Sequence, residues 1–139
     1  PAARILQPAD STLLVHAEAS AARQGQLRAA GARLLSLPNA TGQTDLRALL
    51  THLANEGVNE LHVEAGATLN AALLQADLVD ELLVYMAPAL LGPGRDMAAL
   101  SPLTALADAH AFEFTDLARI GTDVRLVARR QGAAAFIDG

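Results

Sequence analysis

An α/β fold, with a sheet that begins parallel and turns antiparallel near its C-terminal end, is predicted for these 139 residues from three observations. Short apolar runs alternate with helix-forming segments in the order strand, helix, strand, helix, strand, which is the pattern of right-handed parallel crossovers. Two strand-like runs near the end, 112–120 and 123–130, are separated by Gly121-Thr122, a hairpin signal. Between these regions, Glu60 through Asn70 reads as a buried strand that passes through a tight turn into a helix. Such a corner sets a carboxylate beside free backbone N–H groups that attract anions.

Taken in order, Pro1 to Asp10 holds two prolines and little pattern, which suits a connecting arm. Thr12-Leu13-Leu14-Val15-His16 is an apolar run expected as a strand buried on both faces. His16 has no second histidine at a ligand-like spacing, so it reads as a hydrogen-bonded core or strand-end histidine. Ser20 through Ala30 is a helix stopped by Gly31, and Arg33 to Leu37 is the next strand, ended by Pro38-Asn39. Thr44 is expected to cap a helix running to Glu56, with Leu46, Leu49, Leu50 and Leu53 along one face and His52 off that stripe, facing solvent.

Glu60 to Glu64 is expected as the third strand, with His62 and Glu64 leaving on one face because side chains alternate. Ala67 to Leu78 follows as a helix with Leu69, Leu73 and Leu74 on one side. Asp80-Glu81 opens a strand through Ala87 and reads as a strand entry with an ion pair, while Pro88 confines that strand to an edge or an end. Leu90 to Arg95 has strong turn chemistry, and Ser101 to Ala109 suits one or two helical turns or an irregular connection. Residues 1–130 are expected to form one domain, and 131–139 a flexible tail.

Composition removes several chemistries. Hydrophobic residues make up 52%, yet no uninterrupted apolar run approaches the roughly 18 residues of a membrane span. The absence of cysteine excludes disulfides, thiolate zinc sites and a cysteine nucleophile, and fits a cytoplasmic location. All ten basic residues are arginine, so lysine Schiff-base chemistry and a Walker-type phosphate loop are excluded. A net charge of −5 with 3% aromatic residues argues against nucleic acid as a partner. No His-Glu-x-x-His, Gly-x-Ser-x-Gly or Gly-x-Gly-x-x-Gly motif is present, and no metal site is expected.

What remains is the corner. In parallel sheets ligands sit beyond the carboxyl ends of the strands, where Glu64 to Gly66 would stand. For Glu64 two readings stay open: an ordinary strand-end carboxylate that caps the helix or pairs with an arginine, and a ligand-binding group.

Val63-Glu64-Ala65-Gly66-Ala67-Thr68-Leu69, Leu78-Val79-Asp80-Glu81-Leu82 and Tyr85-Met86-Ala87-Pro88-Ala89-Leu90-Leu91-Gly92, in that order and spacing, closely resemble the C-terminal reductase domain of the bifunctional riboflavin-biosynthesis deaminase/reductase, RibD. The resemblance runs from about Ile5 to Val124. It implies a three-layer dihydrofolate-reductase-like sheet with helices on both faces, and NADPH-dependent reduction of 5-amino-6-(5-phosphoribosylamino)uracil by hydride transfer to ribose C1′. By motif match Glu64 would contact substrate, and Gly66, Ala67, Thr68, Leu69 and Asn70 would hold the cofactor phosphates; no catalytic acid or base is assigned. Across this fold Gly-Gly often stands where this chain has Ala65-Gly66, and in dihydrofolate reductases that bond is cis.

The family's zinc deaminase motifs and the first part of its reductase domain have no counterpart in these residues, so a partial cofactor site without turnover of its own is expected. Uncovered sheet edges and apolar surface then lead to the expectation of a homodimer or larger oligomer. Two other readings remain: a non-catalytic nucleotide-binding or dimerisation module of the same fold, and an antifolate-type pyrimidine reductase sharing the corner.

Overall fold

Thr12–His16 forms strand β1 and Ala32–Ser36 forms β2, and the two pair in parallel with Leu14 opposite Leu34 and His16 opposite Ser36. These elements belong to a computed structural model that describes residues 3–132 and divides into two compact units, Pro1–His62 and Val63–Gly139. The arm before β1 contains one turn of 3-10 helix, Arg4–Leu6, which buries Leu6. Helix α1, Ala21–Ala29, is the crossover between β1 and β2, and the Ser20 hydroxyl caps it by accepting from the Arg23 N–H at 3.3 Å. Gly31 follows with φ of +93°, and a Cβ there would stand 3.1 Å from Ala9, so glycine is required twice over. The β1 residues are half-buried, which departs from the expected burial on both faces.

Helix α2, Leu46–Asn55, starts one residue later than the sequence suggested. Asp45 is the cap, its carboxylate accepting from the Ala48 N–H at 2.9 Å, whereas Thr44 is engaged in an isolated bridge with Pro38. A carboxylate also complements the positive end of the helix dipole, which favours Asp45 over its neighbour. Glu56, past the end of α2, accepts from Arg33 at 2.8 Å and lies 3.5 Å from His52, so His52 is half-buried beside a carboxylate rather than simply facing solvent.

The expected third strand, Glu60–Glu64, does not form: no strand among the described residues pairs with it. A strand exists only through a neighbour's hydrogen bonds, and alternation alone supplies none. Leu61 and Val63 are accordingly exposed, and the strand alternation that would put His62 and Glu64 on one face is lost with the strand.

In the second unit, helix α3 spans Ala67–Gln75 and buries Ala71, Leu73 and Leu74, while Leu69 lies exposed. Glu81–Met86 forms β3, Phe112–Ile120 forms β4 and Asp123–Arg130 forms β5, in an antiparallel sheet of order β3-β5-β4. β3 is an edge strand that ends before Pro88, in keeping with the expectation of an edge or a strand end. β4 and β5 have the bounds read from the sequence, with Gly121 at φ +64° in the turn and an irregularity between Phe114 and Asp116. The 101–109 segment is irregular apart from one turn of 3-10 helix at Leu106–Asp108.

Cross-strand ion pairs lace this sheet: Glu81 with Arg129 at 2.7 Å and Asp116 with Arg125 at 2.5 Å. The first confirms Glu81 as a structural strand entry. The hydrogen bond and charge of Asp116 push the Arg125 guanidinium above its ordinary pKa, so the arginine stays charged throughout the working pH range. Beyond α3, Asp77 at φ +58° turns the chain and accepts from Arg130 at 2.7 Å, tying the helix end to β5.

The chain is therefore α/β, with a parallel part followed by an antiparallel part, present as a two-stranded and a three-stranded sheet among the described residues. The cis peptide bond found among those residues joins Gln7 to Pro8, and Ala65–Gly66 is trans, unlike the dihydrofolate reductase pattern. Gln131 and Gly132 form a turn, and the tail expected over 133–139 lies outside the described residues.

Candidate functional site

Gly66 caps α3 in an extended conformation, φ −82° and ψ 169°, and supplies no side-chain hydrogen bond. The first helical bond runs from the Asn70 N–H to the Gly66 carbonyl at 3.1 Å, so the N–H groups of Ala67, Thr68 and Leu69 precede the helical ladder. A glycine at such a φ is not demanded by the backbone. Nor is it demanded by packing, because a Cβ at Gly66 would meet nothing within 4 Å. What glycine leaves is open space over the backbone, which permits close approach by another molecule.

Gly66, Thr68 and Leu69 are exposed, and Leu69 presents an apolar side chain, 42% exposed, beside the helix start. Glu64 is exposed two residues before the cap. Ala67 is half-buried, and its carbonyl accepts from the Ala99 N–H at 3.0 Å. The Asn70 amide donates to the Met97 carbonyl at 2.8 Å and toward the Ala65 carbonyl at 3.4 Å. Asn70 therefore joins the residue before the cap, the first turn and a distant loop. Sequence reading did not find that junction, since its partners are backbone carbonyls that carry no sequence signature.

The corner thus combines a carboxylate, an uncapped helix start and an exposed apolar side chain. This donor set suits an anionic group on the backbone amides, with the apolar part of a ligand against Leu69. The residues fit a phosphate-bearing nicotinamide cofactor in chemistry: open space at Gly66 and amides without a side-chain competitor.

In the first unit an open groove of about 570 Å³ lies at the carboxyl ends of β1 and β2, lined by His16, Ala17, Glu18, Ser20, Gln24 and Ser36 among others. His16 is the strand-end residue that the sequence suggested, but its Nδ1 is buried without a hydrogen-bond partner. The polar groups around it are largely committed locally: Ser36 donates to the Ala17 carbonyl at 3.3 Å, Gln24 to the Ala19 carbonyl at 2.9 Å, and Ser20 caps α1. No group of three or more His, Asp or Glu that could hold a metal ion occurs among the described residues. No helix among them is long and apolar enough to cross a membrane.

With this geometry in view, known proteins give a consistent match. The model of the RibD C-terminal domain matches residues 1–126. The riboflavin biosynthesis protein RibD of Escherichia coli is 47% identical over 95 residues, which is 68% of this chain and 26% of that protein. A 5-amino-6-(5-phosphoribosylamino)uracil reductase of Buchnera aphidicola is 35% identical over 80 residues, covering 57% of this chain and 39% of that protein. Among solved structures, Acinetobacter baumannii RibD in form 1 superimposes with a TM-score of 0.76 at 28% identity, over 92% of this chain and 33% of that one. The chain thus spans 26% and 39% of the two curated relatives' own lengths. With the family match running through both units and through the corner, the chain belongs to the RibD C-terminal domain family.

Proposed function

We propose that this chain supplies part of the NADPH and substrate site of a 5-amino-6-(5-phosphoribosylamino)uracil reductase. The observation that carries the reading is the start of α3 on Gly66, with open space over the backbone and no side-chain cap, inside the segment matched to a reductase family. The amides of Ala67, Thr68 and Leu69 receive the cofactor phosphates, and Asn70 keeps that turn in place. Glu64 binds the sugar of the phosphoribosylaminouracil. When bound, NADPH supplies the hydride that reduces ribose C1′. The chain's own work is to hold the phosphates and orient the sugar, which is positioning rather than acid–base chemistry.

A homodimer and a cytoplasmic location belong to the same proposal. Association is supported by one face of the antiparallel sheet, where Phe114, Leu117 and Met86 are 72%, 66% and 56% exposed beside Leu126 and Ala128. A sedimentation profile showing monomer alone would remove that part.

NADPH titration followed by nicotinamide fluorescence tests the cofactor reading, with Gly66→Val and Glu64→Gln as controls. The chain is expected to bind NADPH, Gly66→Val to lose binding, and Glu64→Gln to retain it. Absence of binding in every form would instead favour the non-catalytic module of the same fold.

A further inference from the structure

The loop before Ala99 is fastened to the start of α3 at two points. The Asn70 amide donates to the Met97 carbonyl at 2.8 Å, across 27 residues of sequence, and the Ala99 N–H donates to the Ala67 carbonyl at 3.0 Å. The second bond uses only backbone and would form with many sequences. The first needs an amide of this length at this position, and its other contact, toward the Ala65 carbonyl at 3.4 Å, holds the residue preceding the cap.

Asn70 is a poor choice for helix stability alone, since asparagine is a weaker helix former than alanine. The loop it holds carries Arg95, two residues before Met97, and Arg95 has no hydrogen bond or ion pair among the described residues. The other arginines of this unit are engaged: Arg119 with the Gly121 carbonyl, Arg125 with Asp116, Arg129 with Glu81 and Arg130 with Asp77. Two extended residues span at most about 7 Å, so the Met97 anchor keeps the Arg95 backbone within that distance.

We propose that Asn70 is a positioning residue whose amide latches the Gly92–Ala99 loop to the α3 corner, and that it serves the cofactor through the loop and Arg95 rather than by touching it. This rests on the cofactor reading above. Latching also holds the Ala65 carbonyl, so corner and loop move as one unit. Breaking the latch leaves the loop held only by the Ala99–Ala67 backbone bond, with the helix intact.

Trypsin cleavage after Arg95 reads the latch without reference to the cofactor. In the full chain, Asn70→Ala removes the donor while favouring the helix, so circular dichroism should show helix content maintained. Loss of one exposed hydrogen bond should speed cleavage at Arg95–Asp96 about five- to tenfold. NADPH affinity should fall about tenfold in Asn70→Ala and in Arg95→Gln, and the double variant should bind no worse than about twofold below either single one. Unchanged cleavage at Arg95 overturns the latch. Faster cleavage with unchanged NADPH affinity, or effects of the two substitutions that multiply, overturns the route through Arg95. Failure of the unsubstituted chain to bind NADPH overturns the cofactor reading and this route with it, while the cleavage rates still decide the latch.

Discussion

The three α-helices among the described residues begin in two different ways. In the first unit, α1 and α2 each carry a side-chain cap, Ser20 and Asp45, and neither helix has a fully buried residue. In the second unit, α3 has no side-chain cap and buries Ala71, Leu73 and Leu74 instead. A helix with little buried area depends on satisfying its first amides, whereas one anchored by packing can leave them open. The open start of α3 is thus compatible with a stable helix, and it follows Glu64 closely in the chain, inside the segment that the family model matches. In the proposed site, stability and ligand access would be carried by different ends of the same short element.

The comparison is broken most severely by removing the anchor. Leu74 is 8% exposed, and Leu74→Ala should destabilise the second unit by about 2–4 kcal/mol through lost burial and the cavity left behind. Urea unfolding would measure it, and a cost under about 1 kcal/mol would mean that packing does not hold α3. Next in size is the reverse operation, adding the missing cap. Gly66→Asp fits the observed extended backbone and open space, and should leave stability unchanged or raise it by about 0.5 kcal/mol. The same carboxylate would occupy the first-turn amides and repel phosphate, so NADPH affinity should drop at least about tenfold, read by fluorescence titration. A variant both destabilised and fully able to bind would show that the open start serves neither purpose.

Sequence made some of these features legible and concealed others. Phe112–Ile120 and Asp123–Arg130 could be bounded to the residue because a two-residue turn fixes a hairpin's register from local chemistry. Glu60–Glu64 has the same quality of pattern, but no strand pairs with it among the described residues, and pattern cannot supply one. Gly66 as the hinge into a helix was readable, since glycine followed by Ala-Thr-Leu-Asn-Ala-Ala offers few alternatives. The use of Asn70 was not, because its partner is a carbonyl 27 residues away. The misplaced cap at Thr44 has a subtler cause. Thr44 and Asp45 are both good caps, and only the backbone bridge to Pro38 assigns the first to the loop and the second to the helix.

The capped helices supply the smaller effects. Asp45→Ala removes a charged cap with a 2.9 Å bond and should cost about 1 kcal/mol in the first unit without changing NADPH affinity. Ser20→Ala should cost less, about 0.5 kcal/mol, because its bond to the Arg23 N–H is long at 3.3 Å and the hydroxyl is neutral. The difference between these two variants, measured by thermal unfolding under one set of conditions, isolates what charge and geometry add to a cap. If Ser20→Ala proved the costlier, the α1 start would matter beyond its cap. The hydroxyl borders the groove at the ends of β1 and β2, and its loss would then be felt by Gln24 and Ser36, which line the same space.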